Sequence, residues 1–167
     1  MPLFRSISAP HRNYDAPMSH FRVQHIEHFP IGHRFESAEI ELTADAIVAF
    51  ARQFDPQPMH TDEAAAASGF FGRLVASGWH TAALTMRLMV EARPFGAGAF
   101  IGVRVEDMRF HRPVASGAKL HAAAEILEIT PPRDSFARAV LAVTTFADGQ
   151  PVLTQRWTIL APSRGTE

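Results

Sequence analysis

The sequence predicts an α+β protein, a single domain in which one long, curved antiparallel sheet wraps around a buried central helix. Three observations carry that expectation. Residues 79–92 are apolar on nearly every side, the mark of a helix buried all round. Beyond Pro94 the patterning is β, in four long strand-like stretches. Ala147-Asp148-Gly149-Gln150 and, more loosely, Pro131-Pro132-Arg133-Asp134 supply the turn residues that join such strands as hairpins.

The elements follow in order. Residues 1–20 carry prolines and polar clusters without periodicity and read as a loose N-terminal arm, leaving residues 21–162 as the domain. Residues 33–42 form a strand with Phe35, Ile40 and Leu42 as its apolar contacts. Thr43 is placed to cap a helix over 44–54, with Asp45 in the first turn, where the helix dipole favours an anion. Ile47, Phe50, Ala51 and Phe54 fall at helical spacing. Pro56 disfavours helical geometry at Asp55, so the helix stops there and the carboxylate sits at its exit. Thr61-Asp62-Glu63 opens a short Ala-rich helix that Gly69 ends, and a turn then leads to Ser77-Gly78 and the central helix. Arg87 and Glu91 on that helix are spaced as an i,i+4 pair. Ile101, Val103 and Val105 alternate, then Met108 and Phe110 continue in the opposite phase; the slip at Glu106-Asp107 predicts a bulge. Strands over 118–129, 135–146 and 151–160 complete the sheet. Long strands and one open end of the helix favour dimerisation.

Composition narrows the function classes. The 167 residues carry 16 Lys and Arg against 17 Asp and Glu, a formal net charge of −1, and the arginines are scattered. That is no footprint for nucleic acid. With no cysteine there is no disulfide, thiolate metal site or Cys nucleophile, which fits a cytoplasmic setting. No apolar run reaches the roughly 18 residues of a membrane span, and Met1-Pro2-Leu3-Phe4-Arg5 does not open a secretory signal. His25, His28 and His33 match no familiar zinc spacing, so no metal site is expected.

The chemistry concentrates in Asp55-Pro56-Gln57-Pro58-Met59-His60 and in Ser77-Gly78-Trp79-His80. Five extended residues span up to about 17 Å, so Asp55 and His60 meet only across a bend, which Pro56 and Pro58 stiffen. Brought together they are an acid–base pair able to share one water; otherwise Asp55 is a helix-end turn residue and His60 a solvated one. Ser77 and Gly78 open a helix whose first N–H groups lack partners. Either they polarise a bound acyl or thioester carbonyl, or they are an N-cap serine and a packing glycine. His80 reads as a helix-start histidine satisfied by solvent or backbone. Trp79, Met86 and Met89 read as core or as the lining of an acyl channel. Arg73 is a solvated loop residue or a contact for a phosphate.

At these positions the chain resembles the MaoC-like, (R)-specific enoyl-CoA hydratase group of the hot-dog fold, over about residues 30–160. The family pattern of an aromatic, an Asp, a Pro-containing stretch, a His, an acidic residue and a further aromatic is matched by Phe50, Asp55, Pro58, His60, Asp62 and Phe70 or Phe71. The resemblance implies that Asp55 and His60 are the catalytic pair and that the Gly78 backbone donates to the thioester carbonyl. It also implies syn addition of water across an α,β-unsaturated acyl thioester, or the reverse, with no cofactor. Gln53-Phe54 replaces a small Ser-Gly pair of the family, Gln57 replaces an Asn, and Ser77-Gly78-Trp79 replaces a His-Gly opening. Ser77, Phe54, Gln57 and Trp79 are therefore the candidate substrate-pocket residues. The bulk of Phe54 and Trp79 points as readily to a short or branched acyl group as to a straight fatty chain.

The expectation is a hydro-lyase, an acyl-thioester hydratase or dehydratase acting as a homodimer or dimer of dimers on acyl-CoA or an acyl carrier protein thioester. Asp55 is expected as the base toward water and His60 as the partner that orients it or supplies the proton. The alternatives are a hot-dog thioesterase and a non-catalytic acyl-thioester-binding module.

Overall fold

Thr43 accepts a hydrogen bond from the Ala46 N–H at 3.2 Å and so starts helix α1, Ala44–Phe54, in the computed structural model of the chain. The structure describes residues 22–131 and 135–165; the expected N-terminal arm and Pro132, Arg133 and Asp134 of the expected turn lie outside the described residues. Ile47 and Ala51 turn α1 into the core. Asp55 leaves helical geometry at φ −153°, as Pro56 requires.

The expected single strand over 33–42 is two short ones, β1 (Arg34–Glu36) and β2 (Ile40–Glu41). The reason is Ser37. Its hydroxyl accepts from the Ala122 N–H at 2.9 Å, so a side chain replaces a ladder carbonyl and the strand breaks. Two more short helices follow α1. The first, α2 (Pro58–Thr61), is a single turn with Pro58 at its start. The second, α3 (Glu63–Ala67), is capped by Asp62, which accepts from the Ala65 N–H at 2.9 Å. Then comes the central helix α4, Gly78–Glu91, capped by Ser77.

The long strands are β3 (Ile101–Phe110), β4 (Lys119–Ile129), β5 (Phe136–Ala147) and β6 (Gln150–Pro162). They form one antiparallel sheet in the order β1-β4-β5-β6-β3, with β2 also on β4. Asp148 and Gly149 take φ of +49° and +75° in the β5–β6 hairpin, a turn that residues of this kind tolerate. The register of β3 on β6 shifts between Glu106 and Arg109, with Asp107 at φ +50°, which is the bulge the phase slip predicts.

The sheet is open and curves around α4. Leu88 and Met89 join its core, and Thr85 Oγ1 lies 2.5 Å from Thr145 Oγ1 of β5, fastening helix to sheet. The expectation of a helix buried all round is corrected here. Trp79 is 63% exposed, and Ala83, Met86 and Val90 are exposed on the same side. The sheet covers only one face of α4. Edge strand β3 leaves Ile101, Val103 and Val105 exposed as well. Arg87 Nε meets Glu91 Oε1 at 2.7 Å, the expected i,i+4 pair.

Candidate active site

The single turn of α2 brings the two halves of the acid–base motif together. Pro58 supplies a preset φ at the first helical position, and the turn swings His60 inward until it is 6% exposed. Its Nδ1 lies 2.7 Å from the Val75 carbonyl oxygen. A carbonyl only accepts, so Nδ1 carries the proton and Nε2 of the neutral ring is an acceptor. That Nε2 faces Asp55 Oδ2 at 3.5 Å.

Asp55 is held from both sides. The Ser77 hydroxyl donates to Oδ2 at 2.6 Å, and the Gln57 side-chain amide donates to Oδ1 at 2.8 Å. Ser77 then Gln57 keep the carboxyl below its ordinary 3.8; burial opposes them, and the nearby imidazole adds a smaller lowering. Asp55 is therefore ionised throughout the neutral range. Ser77 and Gln57, expected as substrate-pocket residues, line the cavity and also hold the carboxylate. Ser77 also accepts from the Trp79 N–H at 3.2 Å, so one hydroxyl caps α4 and grips Asp55 together.

These groups line a cavity of about 440 Å³ that also includes Gly78 and Trp79. Among the described residues the Gly78 N–H has no hydrogen-bond partner. The side of Gly78 where a Cβ would stand is already occupied, however. A Cβ there would stand 2.8 Å from the half-exposed Phe110 ring, so any larger residue at the start of α4 makes that ring shift.

Phe54 is not brought to this cavity. It is 67% exposed, with its ring 4.9 Å from that of Phe50. Phe71 lines the cavity, whereas Phe70 projects into solvent. His80 departs from its expected solvation. It is 6% exposed, stacked on Phe50 at 4.5 Å, and its Nδ1 has no hydrogen-bond partner among the described residues. Burial pushes its pKa down to about 4, so the ring is neutral near pH 7. Met89 is core, and Met86 is exposed.

Sequence reasoning missed the far wall. Phe110, His111, Arg112 and Val152 line the cavity from β3, the chain after it and β6. No local motif marks them, because only the strand register sets them opposite residues 55–60. His111 Nε2 lies 2.8 Å from Thr154 Oγ1, which fixes its ring.

Known proteins share this architecture. The MaoC-like domain model matches residues 27–146. The chain is 31% identical over 121 residues to the uncharacterized protein YdeM of Bacillus subtilis, covering 72% of this chain and 86% of that protein. The MaoC-like dehydratase from Rhodospirillum rubrum superposes with a TM-score of 0.77 at 39% identity, over 85% of this chain and 99% of its own. The R-hydratase PhaJ1 from Pseudomonas aeruginosa superposes with a TM-score of 0.71 at 27% identity, over 85% of this chain and 89% of its own. The two solved structures share the hot-dog fold of this chain, and the chain described above belongs to the MaoC-like family.

Proposed function

We propose that this chain is an acyl-thioester hydratase or dehydratase, adding water to an α,β-unsaturated acyl thioester or removing it. The observation that carries the reading is the Asp55–His60 pair. Two acceptor atoms stand 3.5 Å apart in a cavity wall, each fixed by its own hydrogen bonds. Such a pair suits one water that donates a hydrogen to each.

In this reading the substrate carbonyl accepts from the Gly78 N–H at the start of α4. The water oxygen bonds to Cβ while its proton passes to His60 Nε2. The π pair moves onto the thioester oxygen as an enolate, stabilised by the Gly78 donor. The enolate returns that pair to Cα, which takes the proton from Nε2. Oxygen and proton arrive on one face, so addition is syn; dehydration is the reverse. Asp55 stays anionic, orienting the water and stabilising the imidazolium. This assignment reverses the sequence-based expectation of Asp55 as base, because two donors and a lowered pKa make its carboxylate a weak one. The thioester itself makes Cα acidic, so the reaction asks for no cofactor.

The exposed stripe of Trp79, Ala83, Met86 and Val90, beside the free edge of β3, supports association of two copies of the chain through this face. Trp79 and Phe110 belong both to that face and to the cavity lining, so a partner copy would help to close the site.

The test is the ultraviolet absorbance of crotonyl-CoA mixed with purified protein, with Asp55→Asn and His60→Asn alongside. Loss of the enoyl band without free thiol, abolished in both variants, is the expected result. Release of thiol would move the assignment to a thioesterase.

A further inference from the structure

A second cavity of about 410 Å³ adjoins the acid–base cavity and shares Arg112, Pro113, Val114 and Val152 with it. Its other cation is Arg73. We infer that Arg73 and Arg112 form a phosphate subsite that binds the carrier arm of the thioester, an inference that rests on the hydratase reading above.

The backbone supplies the geometry. The Ala76 N–H donates to the Val114 carbonyl at 2.8 Å, Val75 bridges Ala115, and the Ser116 N–H donates to the Leu74 carbonyl at 3.5 Å. Residues 73–77 thus run beside residues 113–116, with Ser77 at the acid–base end and Arg73 at the other. Four residues of chain reach at most about 14 Å. The two ends lie along one run of chain beside the adjoining cavities, an arrangement that a flexible pantetheine arm with its sulfur end at Gly78 would follow.

The charges are available. Arg112 Nη1 donates to Gln150 Oε1 at 3.3 Å and to the Pro151 carbonyl at 3.4 Å, both neutral acceptors. Among the described residues neither arginine pairs with a carboxylate. Asp148 is the acid in this lining, and its Oδ1 accepts from the Lys119 N–H at 3.0 Å. Two guanidinium groups against one engaged carboxylate leave a net positive wall, and their forked donors match phosphate oxygens. Both arginines are exposed. An open, cationic mouth suits the part of a substrate that continues out to a nucleotide or a carrier protein, whereas an apolar acyl chain gains nothing there.

The experiment compares crotonyl-CoA, crotonyl-4′-phosphopantetheine and crotonyl-pantetheine, which has no phosphate, on the wild type, Arg73→Gln and Arg112→Gln. The expected result is a rise of about tenfold in KM for the phosphate-bearing esters. Little change in kcat should accompany it in Arg73→Gln, whose side chain lies outside the acid–base cavity, and crotonyl-pantetheine should be unaffected by that variant. A loss already present with phosphopantetheine assigns the subsite to the phosphate common to CoA and carrier proteins. A loss confined to the CoA ester assigns it to the nucleotide phosphates. Unchanged KM, or an equal loss on crotonyl-pantetheine, overturns the proposal. So does a loss that appears on a pantetheine ester only when its acyl chain bears a carboxylate, because the anion read is then the acyl group's. If the wild type hydrates none of the esters, calorimetric titration with CoA and with pantetheine separates the two readings. Tighter, arginine-dependent binding of CoA keeps the subsite and removes the hydratase assignment. Absence of CoA binding removes the subsite.

Discussion

The Ser77 hydroxyl donates to Asp55 Oδ2 at 2.6 Å and so ties the first residue before α4 to the first residue after α1. The same oxygen accepts the Trp79 N–H, which makes the helix cap and the setting of the carboxylate one interaction. Residues distant in the chain are thereby locked at the point where His60 Nε2 approaches.

Asp55→Asn tests the charge without removing the shape. Folding, followed by circular dichroism, should be kept. Hydration of crotonyl-CoA should fall by about 10²-fold or more, in line with losing a charge that orients the water and stabilises the imidazolium. Near-wild-type turnover would sink the assignment of Asp55.

Ser77→Ala removes one donor to Asp55 and the cap of α4. Stability should drop by about 1 kcal/mol in urea titrations, the usual cost of an N-cap, and kcat by about tenfold. The Asp55 pKa should rise toward 3.8. A carboxyl with a depressed folded pKa contributes stability above its unfolded value and loses it as pH falls through the lower folded one. The variant should therefore show less of that contribution at pH 5–7. Gln57→Leu should raise the same pKa without a loss of capping, which separates the two effects.

His80→Phe tests the buried imidazole. Its folded pKa of about 4 lies below the ordinary 6.5, so between those values the unfolded chain binds a proton that the folded chain does not. Stability contributed by the neutral ring is thus complete above pH 6.5 and falls as pH drops toward 4, by an order-of-magnitude limit of about 3 kcal/mol. Phenylalanine keeps the stack on Phe50 and does not titrate. Its melting temperature should fall less than the wild type's between pH 7 and pH 5; parallel decreases would refute the account.

Gly78→Ala tests the contact between α4 and β3. Alanine favours a helix by up to about 1 kcal/mol over glycine, but here its Cβ would stand 2.8 Å from the Phe110 ring. The substitution should destabilise the protein by about 1 kcal/mol. In a Phe110→Ala background the clash is gone and the same change should be neutral or stabilising. The coupling energy from that double-mutant cycle is the readout.

Met86→Glu and Val103→Glu place a charge on the exposed apolar face of α4 and on the free edge of β3. Sedimentation equilibrium should show weaker self-association for both. An unchanged mass distribution would exclude this face as the contact.

Much of this protein could be read from short-range patterns. Thr43 as a cap, Asp55 as a helix exit, the bulge at Glu106-Asp107 and the hairpin at Asp148-Gly149 each depend on a few neighbouring residues whose backbone preferences are strong. The Asp-x₄-His motif and the glycine at the start of α4 were legible in the same way. What escaped was contact between distant segments. Ser37 breaking its own strand, Ser77 and Gln57 holding Asp55, Phe110 filling the space beside Gly78, and His80 stacked on Phe50 all depend on partners set by packing.

The sequence by itself determined most of the elements and singled out Asp55 and His60 as a candidate pair, because capping, proline geometry and apolar periodicity act within a turn or two of chain. Only the tertiary structure decided what those residues do for one another. It decided which histidine nitrogen is free, which hydroxyl grips the carboxylate, and which face of α4 the sheet leaves bare. Hydrogen-bond direction and close packing depend on distances of a few tenths of an ångström between groups far apart in the chain, and no local pattern encodes them.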